Sequence, residues 1–175
     1  MLKKQIDLSK KIRWRTIMAK KPLESVWDYP RPPWVEAYPG LIEVHHKGCV
    51  LAKSSRTFRV LETSHPPVFY IPPEDIMMEL LNKTARTSGC EFKGMAVYFD
   101  LVLPDMKIEN LAWAYENPVR GYEAIKGHLA FYPSKIDACY VDGERVKPQE
   151  GDFYGGWITA NIRGPFKGGP GTWGW

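Results

Sequence analysis

The chain has 175 residues, of which 44% are hydrophobic and 25% are charged, and this composition is typical of one globular domain with its own core. No apolar run is long enough to predict a membrane-spanning helix, and no apolar segment follows the basic N-terminus to predict a secretory signal. Residues 1–21 hold eight Lys or Arg and one acidic residue, whereas residues 22–175 carry a net charge of −3. We therefore predict a basic N-terminal arm over residues 1–21 and a single domain over residues 22–175, with no strong nucleic-acid signal in that domain.

The three cysteines argue against both a disulfide framework and a zinc site. Cys49, Cys90 and Cys139 are widely spaced and odd in number, and no two of them form a CxxC motif. The histidines show no pair at helical spacing that would bind a metal. We expect reduced thiols, a cytoplasmic location and no metal or other cofactor.

The first half of the chain predicts short strands divided by turns. The run WDYPRPPW, residues 27–34, is too rich in proline for a helix or a central strand and is expected to be extended. Alternating apolar residues then predict a hairpin that turns near Lys47-Gly48, followed by further strands. The predicted strands are Leu41–Lys47, Cys49–Lys53, Phe58–Glu62 and Val68–Ile71.

One segment predicts a short helix, over Pro73–Leu81. It begins with Pro72-Pro73-Glu74-Asp75, and prolines and acidic residues are favoured in the first turn of a helix. Apolar residues then recur on one helical face.

The second half again predicts strands, with Asp142-Gly143 as its strongest hairpin turn because both residues tolerate positive φ. The predicted strands are Ala96–Leu103, Leu111–Tyr115, Leu129–Tyr132, Ala138–Val141 and Arg145–Lys147. From Gly151 onward, glycine and proline predict a coil-rich tail whose aromatic residues cover the sheet. The fold class is therefore mainly antiparallel β with one short helix.

Several sequence blocks occur in the order that is typical of one family. They are VLETSHPPVFYIPPEDI (60–76), Cys90 with Lys93-Gly94, AWAY (112–115), AFYPSKIDACYVDGERV (130–146) and FYGGW (153–157). From about Glu24 to the end, the chain resembles the DUF427 family, an uncharacterised family that has carried a nucleotidyltransferase-like label. The resemblance implies an Mss4-like β-tent fold, in which two antiparallel sheets lean together. Polymerase-type nucleotidyltransferases use paired aspartates to hold two metals, and zinc-bearing tent proteins use paired CxxC motifs. Both patterns are absent from this sequence.

Three residues are candidates for chemistry. The two prolines that follow His65 restrict its backbone, so its ring is expected to point in a fixed direction as a ligand contact or a general base, although a structural histidine bonded to the backbone is the simpler interpretation. Cys90 is a candidate nucleophile activated by His65 or Lys93, although cysteine is more often a small buried residue. Lys93, beside a glycine, is suited to an anionic ligand, although a solvated turn lysine is the simpler interpretation.

Aromatic residues spread over several strands either fill the core or line a pocket between the sheets. Those expected at the pocket are Trp113, Tyr115, Tyr132, Tyr154 and Trp157. Together with His65 and Lys93, they predict a binding site for a small planar or anionic molecule. Two alternatives stay open: a hydrolase or transferase that uses His65 as base and Cys90 as nucleophile in the same groove, and an interaction module that docks through its basic arm. The sequence does not decide whether the chain is an enzyme, nor its oligomeric state.

Overall fold

The computed structural model describes residues 21–151 and 153–175, and short β-strands dominate it. The arm predicted over residues 1–21 lies outside these residues except for Lys21. The strands in chain order are β1 (Glu24–Ser25), β2 (Trp34–Tyr38), β3 (Ile42–His46), β4 (Cys49–Ser54), β5 (Thr57–Leu61), β6 (Val68–Tyr70), β7 (Leu81–Cys90), β8 (Gly94–Leu103), β9 (Met106–Ala114), β10 (Leu129–Phe131), β11 (Ala138–Val141), β12 (Glu144–Arg145), β13 (Lys147–Pro148), β14 (Trp157–Ile158) and β15 (Ile162–Arg163).

The strands form five sheets rather than the expected two. The sheet orders are β10-β9-β8-β7, β12-β11-β3-β4, β2-β5-β6, β13-β14 and β1-β15. Among the paired strands of the described residues, only β1 and β15 are parallel, so the predicted antiparallel β class is confirmed. The sheet with the longest strands, β10-β9-β8-β7, is the largest sheet. Just beyond β6, Ile71 exchanges two backbone hydrogen bonds with Leu129 of β10, at 2.8 and 2.9 Å, and thereby joins the β2-β5-β6 sheet to the edge of the largest sheet. The tent arrangement of the sheets stays a prediction.

Both hairpin turns predicted from dipeptides are confirmed. Lys47 and Gly48 have φ of 50° and 74° between β3 and β4, and Asp142 and Gly143 have φ of 53° and 79° between β11 and β12. Positive φ at both central residues is the conformation that two-residue hairpin turns require.

The predicted helix over Pro73–Leu81 is wrong. The chain there forms two 3₁₀ turns, Pro73–Asp75 and Met78–Leu80, separated by extended backbone at Ile76. Met77 N–H donates to the Leu51 carbonyl at 2.8 Å, so the residues between the two turns bond to strand β4 and the helix does not continue. The proline and acidic residues favour a helical first turn, but tertiary hydrogen bonds determine the conformation of the residues after that turn. Three further 3₁₀ turns are Val26–Asp28, Glu123–Ile125 and Pro133–Lys135, and no helix of the described residues is long and apolar enough to cross a membrane.

The largest sheet is buried on both faces by different residue types. One face contributes aliphatic residues to the main core, including Leu101, Leu111 and Leu129. The other face carries a mainly aromatic cluster that includes Tyr98, Trp113, Tyr115 and Tyr132. Since side chains alternate across a strand, Tyr98 of β8 and Trp113 of β9 lie on a surface separate from the main core, to which Phe99 and Phe131 belong.

Candidate functional site

A cavity of about 320 Å³ lies over the aromatic face of the largest sheet. Its walls come from this sheet, from the connection between β5 and β6, from the β7–β8 hairpin and from the C-terminal segment. Seven of the eight residues predicted for the site line it: His65, Cys90, Lys93, Trp113, Tyr115, Tyr132 and Tyr154. Residues that are far apart in the sequence therefore converge as the sequence analysis expects, although their roles stay predictions.

The floor of the cavity follows from alternation in the AWAY segment. Ala112 and Ala114 face the main core, so Trp113 and Tyr115 point to the opposite face of the sheet. Trp113 pairs in register with Tyr98 on β8, which places the two rings side by side on that face. Small residues toward the core and large aromatic residues on the opposite face thus make one mainly aromatic floor.

The aromatic rings of the floor contact one another closely. The Trp113 and Tyr132 ring centroids lie 4.5 Å apart, and the Tyr70 centroid lies 6.3 Å from those of Trp113 and Tyr115. Burial raises the pKa of Tyr70 and of Tyr115 far above the usual value, because a phenolate would be desolvated there. The phenols are therefore neutral at physiological pH.

His65 is held by a tight turn and by one amide. The backbone N–H of His65 donates to the Glu62 carbonyl at 3.0 Å, and Ser64 at φ +68° occupies the left-handed position of that turn. Gln149 Nε2 donates to His65 Nδ1 at 3.1 Å and to the Lys167 carbonyl at 2.7 Å. The Gln149 Oε1 accepts from the Gly156 N–H at 3.1 Å, which fixes the orientation of the amide. His65 Nδ1 must then be an acceptor, and the ring proton is on Nε2.

Burial is the main reason that the His65 ring is neutral. It lowers the pKa of His65 to about 4; the nearby Glu62 carboxylate opposes this change, and three nearby cations reinforce it. The ring also contacts Tyr154, at a centroid distance of 4.6 Å. A neutral imidazole in a fixed orientation can donate a hydrogen bond from Nε2 to a ligand.

Lys93 provides a buried cation on the rim. It lies in the turn between β7 and β8, where Gly94 at φ +100° lets the chain re-enter the sheet. Lys93 is only 7% exposed, and its Nζ lies 3.7 Å from Glu62 Oε2. The other oxygen of Glu62 accepts from Arg31 at 3.3 Å. One carboxylate is therefore shared between two cations at the mouth of the cavity.

Cys90 shares this rim but is not paired with His65. It lies opposite Gly94 in the β7–β8 hairpin, and it lines the cavity together with Tyr115. Within the described residues, no hydrogen bond joins Cys90 to His65, whose Nδ1 is occupied by Gln149. The nucleophile and base roles of these two residues stay predictions.

The FYGGW segment closes one wall because it has no side chain at two positions. A Cβ on Gly155 would overlap the Trp113 ring, and a Cβ on Gly156 would overlap Gln149 Oε1. The segment therefore packs directly on the floor and on the amide that orients His65.

Trp157 is the one predicted site residue outside this cavity. It is almost fully buried in the main core, and its Nε1–H donates to the Phe131 carbonyl at 3.1 Å. Tyr154 lines this cavity, whereas Trp157, three residues later, packs in the core and borders a separate cavity. The prediction that Trp157 lines the same cavity as His65 and Lys93 is therefore wrong.

Sequence reasoning misses several polar lining residues. Arg31, Gln149 and Lys167 line the cavity, but each comes from a loop or terminal segment that is distant in sequence from the other site residues. Only Gln149 has a clear positioning role, and a single glutamine in a loop gives no sequence signal. Among the described residues, no group of three or more His, Cys, Asp or Glu side chains is arranged to hold a metal ion.

A second cavity of about 470 Å³ is less suited to a ligand, because its charged groups already bind one another. Asp142 pairs there with Lys21 at 2.6 Å, and Arg59 pairs with Glu36 at 2.6 Å. The smaller cavity instead combines an aromatic floor with cations that are only loosely paired.

The family described as "Domain of unknown function (DUF427)" matches residues 34–142, which is more than half of the chain. The match covers the floor, His65 and the β7–β8 hairpin, whereas Arg31, Gln149 and the FYGGW segment lie outside it. No curated protein matches the chain.

Proposed function

The chain belongs to the DUF427 family, and we propose that it binds a small planar or anionic molecule in the cavity over the aromatic face of its largest sheet. One observation carries the proposal: the buried Lys93, the neutral His65 and the Trp113 floor line the same cavity. A stacking surface beside a cation and a hydrogen-bond donor is the combination that recognises a flat molecule with a negative group.

The charges of the cavity favour an anion. Three cations, Arg31, Lys93 and Lys167, line it against two carboxylates, Glu62 and Glu91. The separations of 3.3 and 3.7 Å from Glu62 leave both of its partner cations loosely held. An anionic group at the mouth would therefore gain contacts with cations that the protein itself does not saturate.

The size of the cavity favours a small molecule over a macromolecule. A volume of about 320 Å³ is near the lower end of the range for small-molecule sites, which is roughly 300–1,000 Å³. The cavity accommodates one or two fused rings, and a polymer would have to bind across its rim.

The proposal is tested by titrating the full chain with a panel of aromatic carboxylates and aromatic phosphates, using calorimetry and Trp fluorescence. Lys93→Gln and His65→Gln should each weaken binding at least tenfold while leaving unfolding cooperative. Lys53→Gln is a matched control, because Lys53 also pairs with a glutamate, at 3.1 Å, but lies on the surface of the β3–β4 hairpin away from the cavity. Absence of binding across the panel, or equal losses in the control, would refute the proposal.

We also propose that the protein works in a reducing compartment such as the cytoplasm. Its three cysteines are all free, and Cys49 is exposed at a hairpin turn where an oxidising environment would leave it open to unwanted pairing.

A further inference from the structure

From the distribution of polar atoms in the cavity, we infer that its ligand is an aryl acid: a flat ring system with an apolar edge and a single anionic group, which lies at the mouth. This inference depends on the proposed function, because it names the chemical class of the molecule that the cavity binds. It rests on two observations: the protein already occupies most polar atoms of the floor, and Arg31, Lys93 and His65, which lie outside the floor, offer donors to a ligand.

Most polar atoms of the floor are already hydrogen-bonded within the protein. Trp113 Nε1–H donates to the Tyr70 hydroxyl at 3.3 Å, and the Tyr132 hydroxyl donates to the Phe153 carbonyl at 3.2 Å. A third phenol of the floor also has a side-chain partner, because the Tyr98 hydroxyl lies 2.8 Å from Ser88 Oγ. The floor therefore offers a ligand the faces of its rings and few unused polar groups.

The donors that remain for a ligand belong to Arg31, Lys93 and His65 and not to the floor. In the described part of the chain, Arg31 and Lys93 have no carboxylate partner other than Glu62. The Arg31 side chain is 42% exposed, which places this end of the cavity at the open side. His65 Nε2–H adds a neutral donor, because Nδ1 is occupied by Gln149. An anionic substituent is thus recognised at the mouth, while the ring that carries it lies over the floor.

A heterocycle with a polar edge fits this arrangement poorly. Its ring N–H and C=O groups would leave water for a floor where the indole and most phenols already have partners, and a buried unsatisfied polar group weakens binding. Since each such group costs roughly ten- to a hundredfold in affinity, even one or two should be decisive. The cavity is therefore expected to discriminate against nucleobase-like and pterin-like rings of the same size and charge.

Three probes test this inference by calorimetry with the full chain: 2-naphthoate, its neutral analogue 2-naphthamide, and pterin-6-carboxylate, which has a bicyclic ring of similar size with a polar edge. We expect 2-naphthoate to bind at least tenfold more tightly than either of the others. We also expect its binding to weaken at least tenfold in Lys93→Gln and to be unchanged in Lys53→Gln.

The outcomes separate this inference from the proposed function. If pterin-6-carboxylate binds as tightly as 2-naphthoate or more tightly, and Lys93→Gln weakens it, the cavity is a ligand site and the aryl-acid inference is wrong. If 2-naphthamide equals 2-naphthoate, the anionic group is not recognised, and the inference is likewise overturned. If none of the probes, and no member of the wider panel, binds in a manner sensitive to Lys93, the proposed function itself fails.

Discussion

The Gln149 side-chain amide donates to His65 Nδ1 at 3.1 Å, and the same amide is anchored to the Gly156 N–H and to the Lys167 carbonyl. A loop residue near the C-terminus thereby sets the tautomer of a ring that lies in the turn between β5 and β6. Because the amide is held at both ends, His65 cannot donate from Nδ1 without losing this bond. The orientation of the ring is thus a property of the tertiary structure and not of the His-Pro-Pro segment alone.

We predict that protonation of His65 destabilises the fold as the pH falls from about 6.5 to about 4. The folded pKa of His65 is about 4, mainly because of burial, and the ordinary value is 6.5. Because the pKa of His65 is lower in the folded state than in the unfolded chain, the neutral ring contributes fully to folding stability above pH 6.5. This contribution decreases as the pH falls from 6.5 to about 4. The loss amounts to about 3 kcal/mol. Urea unfolding at several pH values measures it, and His65→Gln, which does not titrate, should show a shallower dependence. Parallel pH curves for the two proteins would contradict the prediction.

We predict that Gly155→Ala destabilises the protein by about 1–3 kcal/mol, because the new methyl group overlaps the rigid Trp113 ring. The ring must shift, so ligand affinity and the Trp emission maximum should change with stability. Gly174→Ala is the matched control, since a Cβ there meets open space. Thermal unfolding of both variants gives the comparison, and equal midpoints would show that the wall does not pack on the floor as described.

We predict that Asp142→Ala destabilises the protein by about 1–3 kcal/mol. Asp142 accepts hydrogen bonds from the Tyr38 hydroxyl at 2.6 Å and from the Leu41 N–H at 2.7 Å, and its φ of +53° disfavours alanine. Asp142→Asn should lose less stability than Asp142→Ala, because asparagine tolerates this conformation and keeps one acceptor oxygen. Denaturant unfolding distinguishes the variants, and equal losses for Ala and Asn would mean that neither the conformation nor the acceptor oxygen matters.

Local chemistry explains which parts of the fold are predictable from sequence. The hairpin turns at Lys47-Gly48 and Asp142-Gly143 require positive φ, and a dipeptide is enough to show that requirement. Strand β7 is not predictable in this way, because its residues, LNKTARTSGC, are mostly polar and exposed and show no alternation; pairing with β8 defines it. The helix expected over Pro73–Leu81 is wrong for the related reason that Met77, between two short 3₁₀ turns, bonds to strand β4.

The residues of the candidate site also differ in whether the sequence alone predicts them. His65, Lys93 and Trp113 are predictable because each stands in a short segment with an identifiable geometry, either a proline-restricted histidine, a Lys-Gly turn or an alternating strand. Gln149 is not predictable from the sequence, because its role depends on three partners that only the fold brings together. The sequence misplaces Trp157 because a glycine pair gives no sign of the direction in which the next side chain points.

We predict that Glu62→Gln increases the affinity of the cavity for 2-naphthoate by several-fold. Glu62 is the carboxylate that lies 3.3 Å from Arg31 and 3.7 Å from Lys93, so a ligand anion must compete with it for both cations. Removing its charge leaves the buried Lys93 without a compensating anion, which strengthens its attraction for an external one and modestly lowers stability. The neutral 2-naphthamide should be unaffected.

Glu91→Gln is the matched control for this prediction, because Glu91 lines the same cavity but forms no ion pair with Arg31 or Lys93 among the described residues. Calorimetry at low ionic strength gives the largest difference, and added salt should reduce it because salt screens the charges at the exposed mouth. A lower affinity of Glu62→Gln for 2-naphthoate would show that Glu62 contacts the ligand or positions His65, and not that it competes with the anion. An equal gain in Glu91→Gln would show that only the overall charge of the cavity matters, and that the shared carboxylate has no special position.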